Sequence, residues 1–503
     1  MTRTDTPGGL TDEQLTAAGT PYRRLYIEAA PGSGKTTVAA QRFGIQRFHG
    51  SDQRAVIAVS FTRSATAELR GRVLSQWGPS ALAWPHRIVT LDTIVCDLLT
   101  YLLYTGHIRW PAGHRHLTVI DSWQVRLPSR WTRTEPTVTL DGNRVLTRGA
   151  QRARQANRPS TRDVSKALAD GFCTHQDARH LLEMAMTISG VRDILLARIA
   201  DTTRALIVDE IFDANALDLS LVRLAADAGL ETTVVGDPWQ ALYGFRGARP
   251  DQVPDLVHEA RFVQRRLRTS FRWKTPKQAL LANQLRAGQG VALSPGRADD
   301  MDVLLALQWK PLWDAGCHVL PMAYGSATGQ VHEAACTLLL SELTQQKLGV
   351  NATFHNDALT TLGIDGEALE RLRPSLQDVL ADLAGTISIA EIWASLNKNI
   401  GAETKRTLPK KRNYHHTERL ENLRARLATP TSRLVPGLTA HQAKGREWDN
   451  VGVLLTDLER EVLRGGLIPT SEEHRKLYVA LTRAKLATTL TSSCMVGGSA
   501  SRP

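Results

Sequence analysis

The stretch AAPGSGKTTVAAQ, residues 29–41, follows a short apolar run, RLYIEAA, at residues 24–30. Its small residues and glycines allow backbone N–H groups to close around phosphate oxygens, and the following helix adds the positive end of its dipole. Lys35 is placed to reach the β- and γ-phosphates of a nucleotide, and the Thr36 hydroxyl is placed to hold Mg²⁺. Ala29 replaces the first glycine of the usual pattern, so an ordinary glycine-rich turn remains the alternative interpretation.

A second apolar run ends in two acids and would complete a nucleotide site. In LIVDE, residues 206–210, Asp209 is predicted to act on Mg²⁺ directly or through a water molecule. Glu210 is predicted to orient and deprotonate an attacking water. A third run, in VVGDPWQALYGFRGA at residues 234–248, combines an acid and an amide with aromatic rings that suit stacking on bases. Such a segment would connect nucleotide hydrolysis to a bound strand.

Short apolar runs recur in two clusters along the chain. Runs bounded by turns and charges indicate buried parallel strands, and the intervening stretches indicate helices. We therefore predict an α/β fold with two parallel-sheet domains, each interrupted by an insertion. The predicted strands lie at residues 24–30, 55–61, 87–91, 205–211 and 232–237, and then at 450–455 and 486–491, with a helix over 474–485.

The composition favours a polyanionic partner and a cytoplasmic location. The 503 residues carry a formal charge of +12, and between Arg126 and Lys166 ten Arg or Lys residues stand against three acids. A second basic run lies at residues 405–427. Nucleic acid is the expected partner, with solvated faces as the alternative. The five cysteines form no C-x-x-C pair, and no run reaches 18 apolar residues, so we expect no structural metal and no membrane association.

Nine segments, in sequence order, resemble the motifs of the UvrD/Rep-like branch of the superfamily 1 helicases. The segments are LTDEQ (10–14, the Q motif), AAPGSGKT (29–36, motif I), AVSFTRSATAELRGRV (58–73, Ia), VTLDTI (89–94, Ib), VDEIFDAN (208–215, II), VGDPWQALYGFRGA (235–248, III), LRTSFRW (267–273, IV), LTAHQAKGREWDNV (438–451, V) and EEHRKLYVALTRAK (472–485, VI). Motifs III, V and VI are individually specific, so we interpret the chain as a compact member of this branch.

The resemblance implies two RecA-like domains, each with an inserted, mainly helical accessory subdomain. We expect the first RecA-like domain at residues 1–105 and 196–265, and its insertion at 106–195. The second RecA-like domain is expected at 266–290 and 431–495, its insertion at 291–430, and a flexible tail at 496–503.

The resemblance also implies an ATP site that uses Mg²⁺. Gln14 would read adenine, Phe271 would stack on it, and Glu447 would lie near the ribose or the phosphate-coupling network. Gln240 would sense the γ-phosphate, and Arg272 and Arg483 would come from the second sheet domain as arginine fingers. The metal ligands would be Thr36 and Asp209. The catalytic set is Lys35, Thr36, Asp209, Glu210, Gln240, Arg272 and Arg483, and the nucleotide-binding loop is Ala29, Ala30, Pro31, Gly32, Ser33, Gly34, Lys35, Thr36 and Thr37.

A further group of residues falls where the family holds single-stranded nucleic acid. Phe61 and Phe245 would stack on bases, with Trp239 and Tyr243 as flanking candidates for which core packing is the alternative. Contacts to the backbone, or transmission of the strand's position, would come from Thr62, Thr90, Arg246 and His441.

Several positions depart from the family pattern. Phe212 replaces a glutamine beside the catalytic acids, and Asp92 replaces a histidine where an acid would repel a phosphate backbone. Arg63 and Ser64 replace Asn-Lys, and Ser270 replaces an asparagine before Phe271. Because none of these belongs to the hydrolytic set, we expect ATP hydrolysis to be retained.

Three functions are weighed on this basis. The first is an ATP-dependent translocase or helicase on single-stranded or tailed duplex DNA, with 3′ to 5′ polarity as the resemblance implies. The second is a DNA-sensing ATPase subunit that regulates a partner, such as a nuclease in an antiviral-defence or DNA-repair complex. The third, an ATPase with no role on nucleic acid, conflicts with Phe61, Phe245 and the basic charge.

Overall fold

The computed structural model describes residues 9–50, 52–128, 130–325, 330–404, 408 and 414–491. The chain divides into two compact units, Met1–Arg272 and Trp273–Pro503. The predicted tail at 496–503 and part of the basic run at 405–427 lie outside the described residues.

The first unit is built on a six-stranded parallel sheet. The strands of this unit are β1 (Arg24–Ala29), β2 (Ala55–Ser60), β3 (Arg87–Thr90), β4 (Thr118–Ile120), β5 (Arg130–Asp141), β6 (Arg144–Arg158), β7 (Phe172–Thr174), β8 (Thr203–Val208), β9 (Glu231–Gly236) and β10 (Val263–Leu267). The main sheet has the order β10-β1-β9-β8-β2-β3, with every neighbouring pair parallel. The five runs predicted as strands in this part of the chain are confirmed.

Helices cover both faces of this sheet, which is why its central strands are apolar throughout. The helices of the unit are α1 (Asp12–Gly19), α2 (Lys35–His49), α3 (Arg63–Trp77), α4 (Leu91–Tyr104), α5 (Trp123–Arg126), α6 (Thr161–Ala169), α7 (His175–Ala185), α8 (Val191–Thr202), α9 (Ala216–Asp227) and α10 (Val253–Glu259). Alternate residues of β2 serve the two faces: Val56 packs with Phe43 and Leu69 of α2 and α3, whereas Ile57 packs with Val222 of α9.

The first insertion is of mixed structure. Besides α5, α6 and α7 it contains an antiparallel hairpin, β5 paired with β6, and a short parallel pair, β4 with β7. The resemblance implies a mainly helical insertion, and the hairpin is a difference from that expectation. Its physical basis is a two-residue turn in which Gly142 has φ +58°, flanked by buried Val138, Leu140 and Val145.

The second unit carries another six-stranded parallel sheet and a helical insertion. Its strands are β11 (Pro295–Gly296), β12 (Val303–Ala306), β13 (Val319–Pro321), β14 (Val435–Thr439), β15 (Trp448–Val453) and β16 (Ala484–Thr491), in the order β11-β16-β15-β12-β14-β13. Its helices are α11 (Pro276–Arg286), α12 (Trp309–Asp314), α13 (Val331–Leu348), α14 (His355–Leu362), α15 (Gly366–Ala384), α16 (Ile389–Thr404), α17 (Tyr414–Leu427), α18 (Ala440–Ala443), α19 (Asp457–Gly465) and α20 (Glu472–Leu481). Helices α13 to α17 share one apolar core, which includes Leu339, Leu376 and Leu396.

The junction between the units differs from the predicted one. The predicted domain boundary after residue 265 falls inside β10, which pairs with β1 from Leu25↔Val263 to Ala29↔Leu267. The compact units divide only after Arg272. The full set of domain boundaries stays a prediction.

Two features are absent from the residues that the structure describes. Within those residues, no helix is long and apolar enough to cross a membrane. No group of His, Cys, Asp and Glu in the same part of the chain is arranged to hold a metal ion by itself.

Candidate functional site

Three adjacent strands of the first sheet end at the candidate site. β1 leads into the glycine-rich loop, β9 into the segment that begins at Asp237, and β8 into Asp209 and Glu210. Since β9 lies between β1 and β8 in a parallel sheet, all three carboxyl ends meet at one edge. Ligands of open α/β sheets bind at this kind of edge.

The loop after β1 is closed by its own hydrogen bonds. Ser33 donates its hydroxyl to the carbonyl of Ala30 at 2.7 Å, and Gly34 begins α2 with φ +85°. Gly32 also has a positive φ, +72°, and a Cβ there would lie 2.6 Å from Cβ of Arg272. Glycine is therefore needed at position 32 both for the backbone conformation and for the close approach of the chain.

The loop helix is joined to the acids after β8. Thr36 donates its hydroxyl to Oδ2 of Asp209 at 3.1 Å, and the Lys35 Nζ lies 3.9 Å from Oε1 of Glu210. Asp209 is only 2% exposed, and its burial, together with the nearby charge of Glu210, raises the pKa of its carboxyl well above the ordinary value. A buried carboxylate beside a hydroxyl is a donor set that a small, hard cation such as Mg²⁺ prefers.

Glu210 is held in an unusual backbone conformation. Its φ and ψ are +61° and 45°, in the left-handed region that residues other than glycine seldom occupy. Its N–H donates to Oδ1 of Asp209 at 3.0 Å, and the Asp209 N–H donates to the carbonyl of Val59 on β2. Strained residues of this kind are concentrated at functional sites.

Asp237 fixes the predicted γ-phosphate sensor. The side chain of Gln240 donates through Nε2 to Oδ2 of Asp237 at 2.8 Å, and the Trp239 N–H donates to Oδ1 of the same carboxylate at 3.2 Å. Asp237 and Gln240 are both buried. The sequence pattern combined this acid with the amide of Gln240, but it did not predict that Asp237 would hold the Gln240 side chain.

The predicted adenine side of the site is assembled from α1, the loop and the segment after β10. Gln14 accepts the Thr11 N–H at 3.0 Å and donates Nε2 to the carbonyl of Ser33 at 2.9 Å. Glu13 accepts the N–H groups of Arg268 and Thr269. No pattern in the sequence pointed to Glu13, because its partners lie some 250 residues away.

Phe271 is anchored through its backbone and leaves its ring free. Its N–H donates to the carbonyl of Gly32 at 3.0 Å, and the ring is 56% exposed. Ser270 donates its hydroxyl to the carbonyl of Pro31 at 2.7 Å, so this departure from the family pattern still supplies a hydrogen bond to the loop.

Arg272 lies in the first unit, and the prediction that it comes from the second sheet domain is corrected. The reason is that β10 joins the first sheet, and the residues after it remain attached to Glu13 and to the loop. The Arg272 Cβ therefore sits directly against Gly32.

The remaining nucleotide-site residues are placed as follows. Thr37 accepts a hydrogen bond from Arg72 of α3 at 2.9 Å. In the second unit, Arg483 joins α20 to β16, is fully buried, and donates Nε to the carbonyl of Val479 at 3.0 Å. Glu447, also in the second unit, is exposed just before β15, with Lys485 Nζ 4.0 Å from its Oε1.

The aromatic residues of the predicted strand-binding group differ in exposure. Phe245 is 66% exposed, Tyr243 is half-buried, and their ring centroids are 6.0 Å apart in an edge-on arrangement. The Arg246 guanidinium lies over both rings, 5.1 Å from Tyr243 and 5.5 Å from Phe245. Trp239, by contrast, is 6% exposed, which corresponds to the packing alternative for that ring.

The other members of this group lie at the ends of strands. Phe61 is half-buried after β2, and Thr62 accepts the Ala65 N–H at 3.1 Å and so caps α3. Thr90 ends β3, and its hydroxyl lies 3.2 Å from that of Thr93. His441 lies in α18, directly after β14 of the second unit.

Two of the departures from the family pattern have structural explanations. Phe212 is buried in the core, its ring centroid 6.3 Å from that of Tyr26, so an apolar contact replaces a polar one. Asp92 accepts from Nε of Arg179 at 2.5 Å, and the same guanidinium donates Nη1 to Asp218 at 2.6 Å. The expected repulsion by Asp92 is thus offset by a neighbouring cation.

Comparisons with known proteins agree with this geometry. A model described as the UvrD/REP helicase N-terminal domain matches residues 10–260, and one described as the UvrD-like helicase C-terminal domain matches residues 417–494. DNA helicase II of Haemophilus influenzae is 22% identical over 347 residues, which cover 65% of this chain and 45% of that protein. ATP-dependent DNA helicase PcrA of Leuconostoc citreum is 26% identical over 267 residues, covering 49% and 34%.

A longer alignment is found with ATP-dependent DNA helicase UvrD2 of Mycobacterium tuberculosis, which is 24% identical. The alignment is 578 residues long, and it covers 98% of this chain and 80% of that protein. For DNA helicase II and PcrA, in contrast, the chain spans less than half the length of the relative. These descriptions name helicases, and none of them supports the alternative of an ATPase that regulates a defence nuclease.

Proposed function

The chain belongs to the UvrD/REP helicase family, and on that premise we propose that it is an ATP-driven motor on single-stranded DNA that unwinds tailed duplexes with 3′ to 5′ polarity. The observation that carries this proposal is the convergence of β1, β9 and β8, which brings Lys35, Gln240 and the acid pair Asp209–Glu210 to one edge of the sheet.

Each residue of this edge has a chemical role in ATP hydrolysis. Lys35 neutralises the β- and γ-phosphates, and backbone N–H groups of the loop hold their oxygens. Glu210 orients a water for attack on the γ-phosphate and accepts its proton. The ion pair between Lys35 and Glu210, at 3.9 Å, is loose enough for ATP to draw the lysine to its phosphates. Arg483 is assigned as the arginine finger of the second unit, which would stabilise charge that develops on the transferred phosphoryl group.

Thr36 and Asp209 would hold Mg²⁺. The ion, when bound, neutralises phosphate charge and orients the nucleotide. The fit is supported by the buried Asp209 carboxylate, whose raised pKa indicates that a nearby positive charge would stabilise its ionised form. Gln14, whose side chain is hydrogen-bonded to the loop, would position the adenine. Phe271 would stack its exposed ring on the adenine.

Coupling between ATP and the strand is assigned to the segment after β9. Gln240, held by Asp237, stands only a few residues before the half-buried Tyr243 and the exposed Phe245. A change at the γ-phosphate would therefore shift the rings on which bases stack, and base stacking contributes roughly 1–3 kcal/mol per base.

The test is ATP turnover by the purified protein with and without a single-stranded oligonucleotide, followed by unwinding of duplexes with a 3′ or a 5′ tail. We expect strong stimulation and unwinding of the 3′-tailed duplex. Lys35→Ala should abolish both, whereas Lys310→Ala, a change at an exposed lysine, should abolish neither. Turnover that is indifferent to DNA would contradict the proposal.

A further inference from the structure

The β5–β6 hairpin carries a concentrated positive charge that the ATP site does not use. Residues 130–158 contain seven arginines and two carboxylates. Glu135 pairs with both Arg152 and Arg158, and Asp141 lies 3.8 Å from Arg148. Among the described residues, no carboxylate is paired with the four exposed arginines Arg130, Arg133, Arg144 and Arg154.

The hairpin is fixed to the first unit by one face and by its turn. Val138, Leu140 and Val145 lie in a core shared with α4 and α7, and Arg109 exchanges backbone hydrogen bonds with Asn143 and Val145. In the regular part of the ladder, the backbone of Asp141 lies opposite that of Arg144, and the backbone of Thr137 lies opposite that of Arg148. Successive residues of a strand point to opposite faces, so Arg144 and Arg148 lie on the face opposite to Val145.

The shape of this charged surface fits a rod. The 12 residues of β5 span about 40 Å at the usual rise per residue, close to the length of one turn of B-DNA, about 34–36 Å. A duplex carries one negative charge per roughly 1.7 Å of its axis, so cations distributed over such a length can meet several phosphates.

The chemistry of the hairpin favours a duplex over a single strand. Surfaces that bind single strands combine cations with several aromatic rings on which bases stack. Trp131 is the only aromatic residue of the hairpin sequence. Arginines without a series of rings suit contacts to phosphates, which need no unstacked base.

We propose that the exposed arginines of the β5–β6 hairpin bind the phosphate backbone of double-stranded DNA. This inference rests on the proposed function, because it assigns the duplex part of the tailed substrate to a surface separate from Phe61 and Phe245. The hairpin contributes affinity that is independent of sequence and sensitive to salt.

The test measures the affinity for a blunt duplex as a function of salt. Each phosphate contact adds about 0.9 to the slope of log K against log salt concentration. The triple variant Arg133→Gln/Arg144→Gln/Arg154→Gln should lower that slope by about 2 to 3. The control Arg192→Gln/Arg223→Gln/Arg297→Gln removes the same charge from surface arginines elsewhere that pair with carboxylates, and it should leave the slope nearly unchanged. If the triple variant folds poorly, Arg144→Gln alone should lower the slope by about 0.9.

Three results would overturn the inference: an unchanged slope in the hairpin variant, an equal loss in the control, or an equal loss of affinity for single-stranded DNA. Stimulation of ATP turnover by single-stranded DNA is measured in the unmodified protein and in the same variants. If stimulation is absent in the unmodified protein, the proposed function fails. If stimulation is present but the salt slope for the duplex is unchanged in the triple variant, only the inference about the hairpin fails.

Discussion

The hydroxyl of Thr36 donates a hydrogen bond to Asp209 at 3.1 Å, although the two residues are 173 positions apart in the chain. The bond joins the first turn of α2 to the end of β8, and it places a neutral oxygen beside a buried carboxylate. This pair is the site assigned to Mg²⁺.

Replacing Thr36 separates the role of its hydroxyl from that of its shape. Thr36→Val keeps the branched side chain but removes the oxygen, so ATP turnover should fall by at least about 100-fold, in line with the loss of one charge-stabilising group. Thr36→Ser keeps the hydroxyl and should retain most of the turnover. The measurement is steady-state kcat at saturating Mg²⁺ and ATP, and a Val variant as active as the Ser variant would remove Thr36 from the site.

Phe271 provides a test of the adenine side of the site. Its backbone is fixed to Gly32, and its ring is exposed, so the ring is available for stacking. Phe271→Ala should raise KM for ATP roughly 10-fold, because one stacked base contributes about 1–3 kcal/mol, and should change kcat little. Phe271→Trp should preserve a low KM. A loss confined to kcat would assign Phe271 to the transition state rather than to nucleotide binding.

Phe245 and Trp239 allow the stacking and packing interpretations to be compared. Phe245→Ala removes an exposed ring, so it should weaken stimulation by single-stranded DNA roughly 10-fold, on the scale of one lost base stack, while basal turnover stays close to that of the unmodified protein. Trp239→Ala removes a buried ring and should mainly lower the melting temperature. If Phe245→Ala reduced basal and stimulated turnover equally, Phe245 would be a packing residue.

His86 makes the stability of the first unit sensitive to mild acid. Its Nδ1 accepts the Val56 N–H at 3.0 Å, and burial, followed by the nearby charges of Arg47 and Arg204, lowers its pKa from 6.5 to about 4. Between these two values the unfolded chain binds a proton that the folded chain does not, so stability falls as the pH is lowered from about 6.5 towards 4.

The matching variant is His86→Asn, which keeps an acceptor for the Val56 N–H but does not titrate. Lowering the pH from 7 to 5 should reduce the melting temperature of the unmodified protein more than that of the variant. Equal losses in the two proteins would show that other groups cause the acid sensitivity.

The sequence predicted the parts of the fold that local pattern determines. The apolar runs of β1, β2, β8 and β9 are buried on both faces, so their composition alone identifies them. β10, VQRRL, escaped detection because it is an edge strand with three consecutive polar residues between Val263 and Leu267. The hairpin escaped detection because its arginines dominate the segment, although the Gly142-Asn143 turn between alternating runs was a readable signal.

The site was predicted less completely where it depends on contacts distant in sequence. Motif order identified Lys35, Asp209 and Gln240, but the position of Arg272 follows from β10 and could not be read from the motif. Asp92 was expected to repel phosphate, because its partner Arg179 lies 87 residues further along the chain. Exposure of aromatic rings was equally unreadable, since Trp239 and Phe245 occur in the same short segment and only one is buried.

The Asp92–Arg179–Asp218 cluster should be a main source of stability for the first unit. The Arg179 guanidinium links α7 of the insertion to the starts of α4 and α9, and the two carboxylates raise its pKa although burial opposes them. Arg179→Met would leave a buried Asp218 without its cation, which typically costs about 3–5 kcal/mol.

The control is Arg192→Met, which breaks the exposed pair with Asp227 at 2.8 Å and should cost less than about 1 kcal/mol. The free energy of unfolding, from urea denaturation followed by circular dichroism, compares the two variants. Arg179→Lys should fall between them, because lysine keeps the charge but cannot reach both carboxylates with one planar group. Equal destabilisation by Arg179→Met and Arg192→Met would mean that the cluster is no stronger than a surface ion pair.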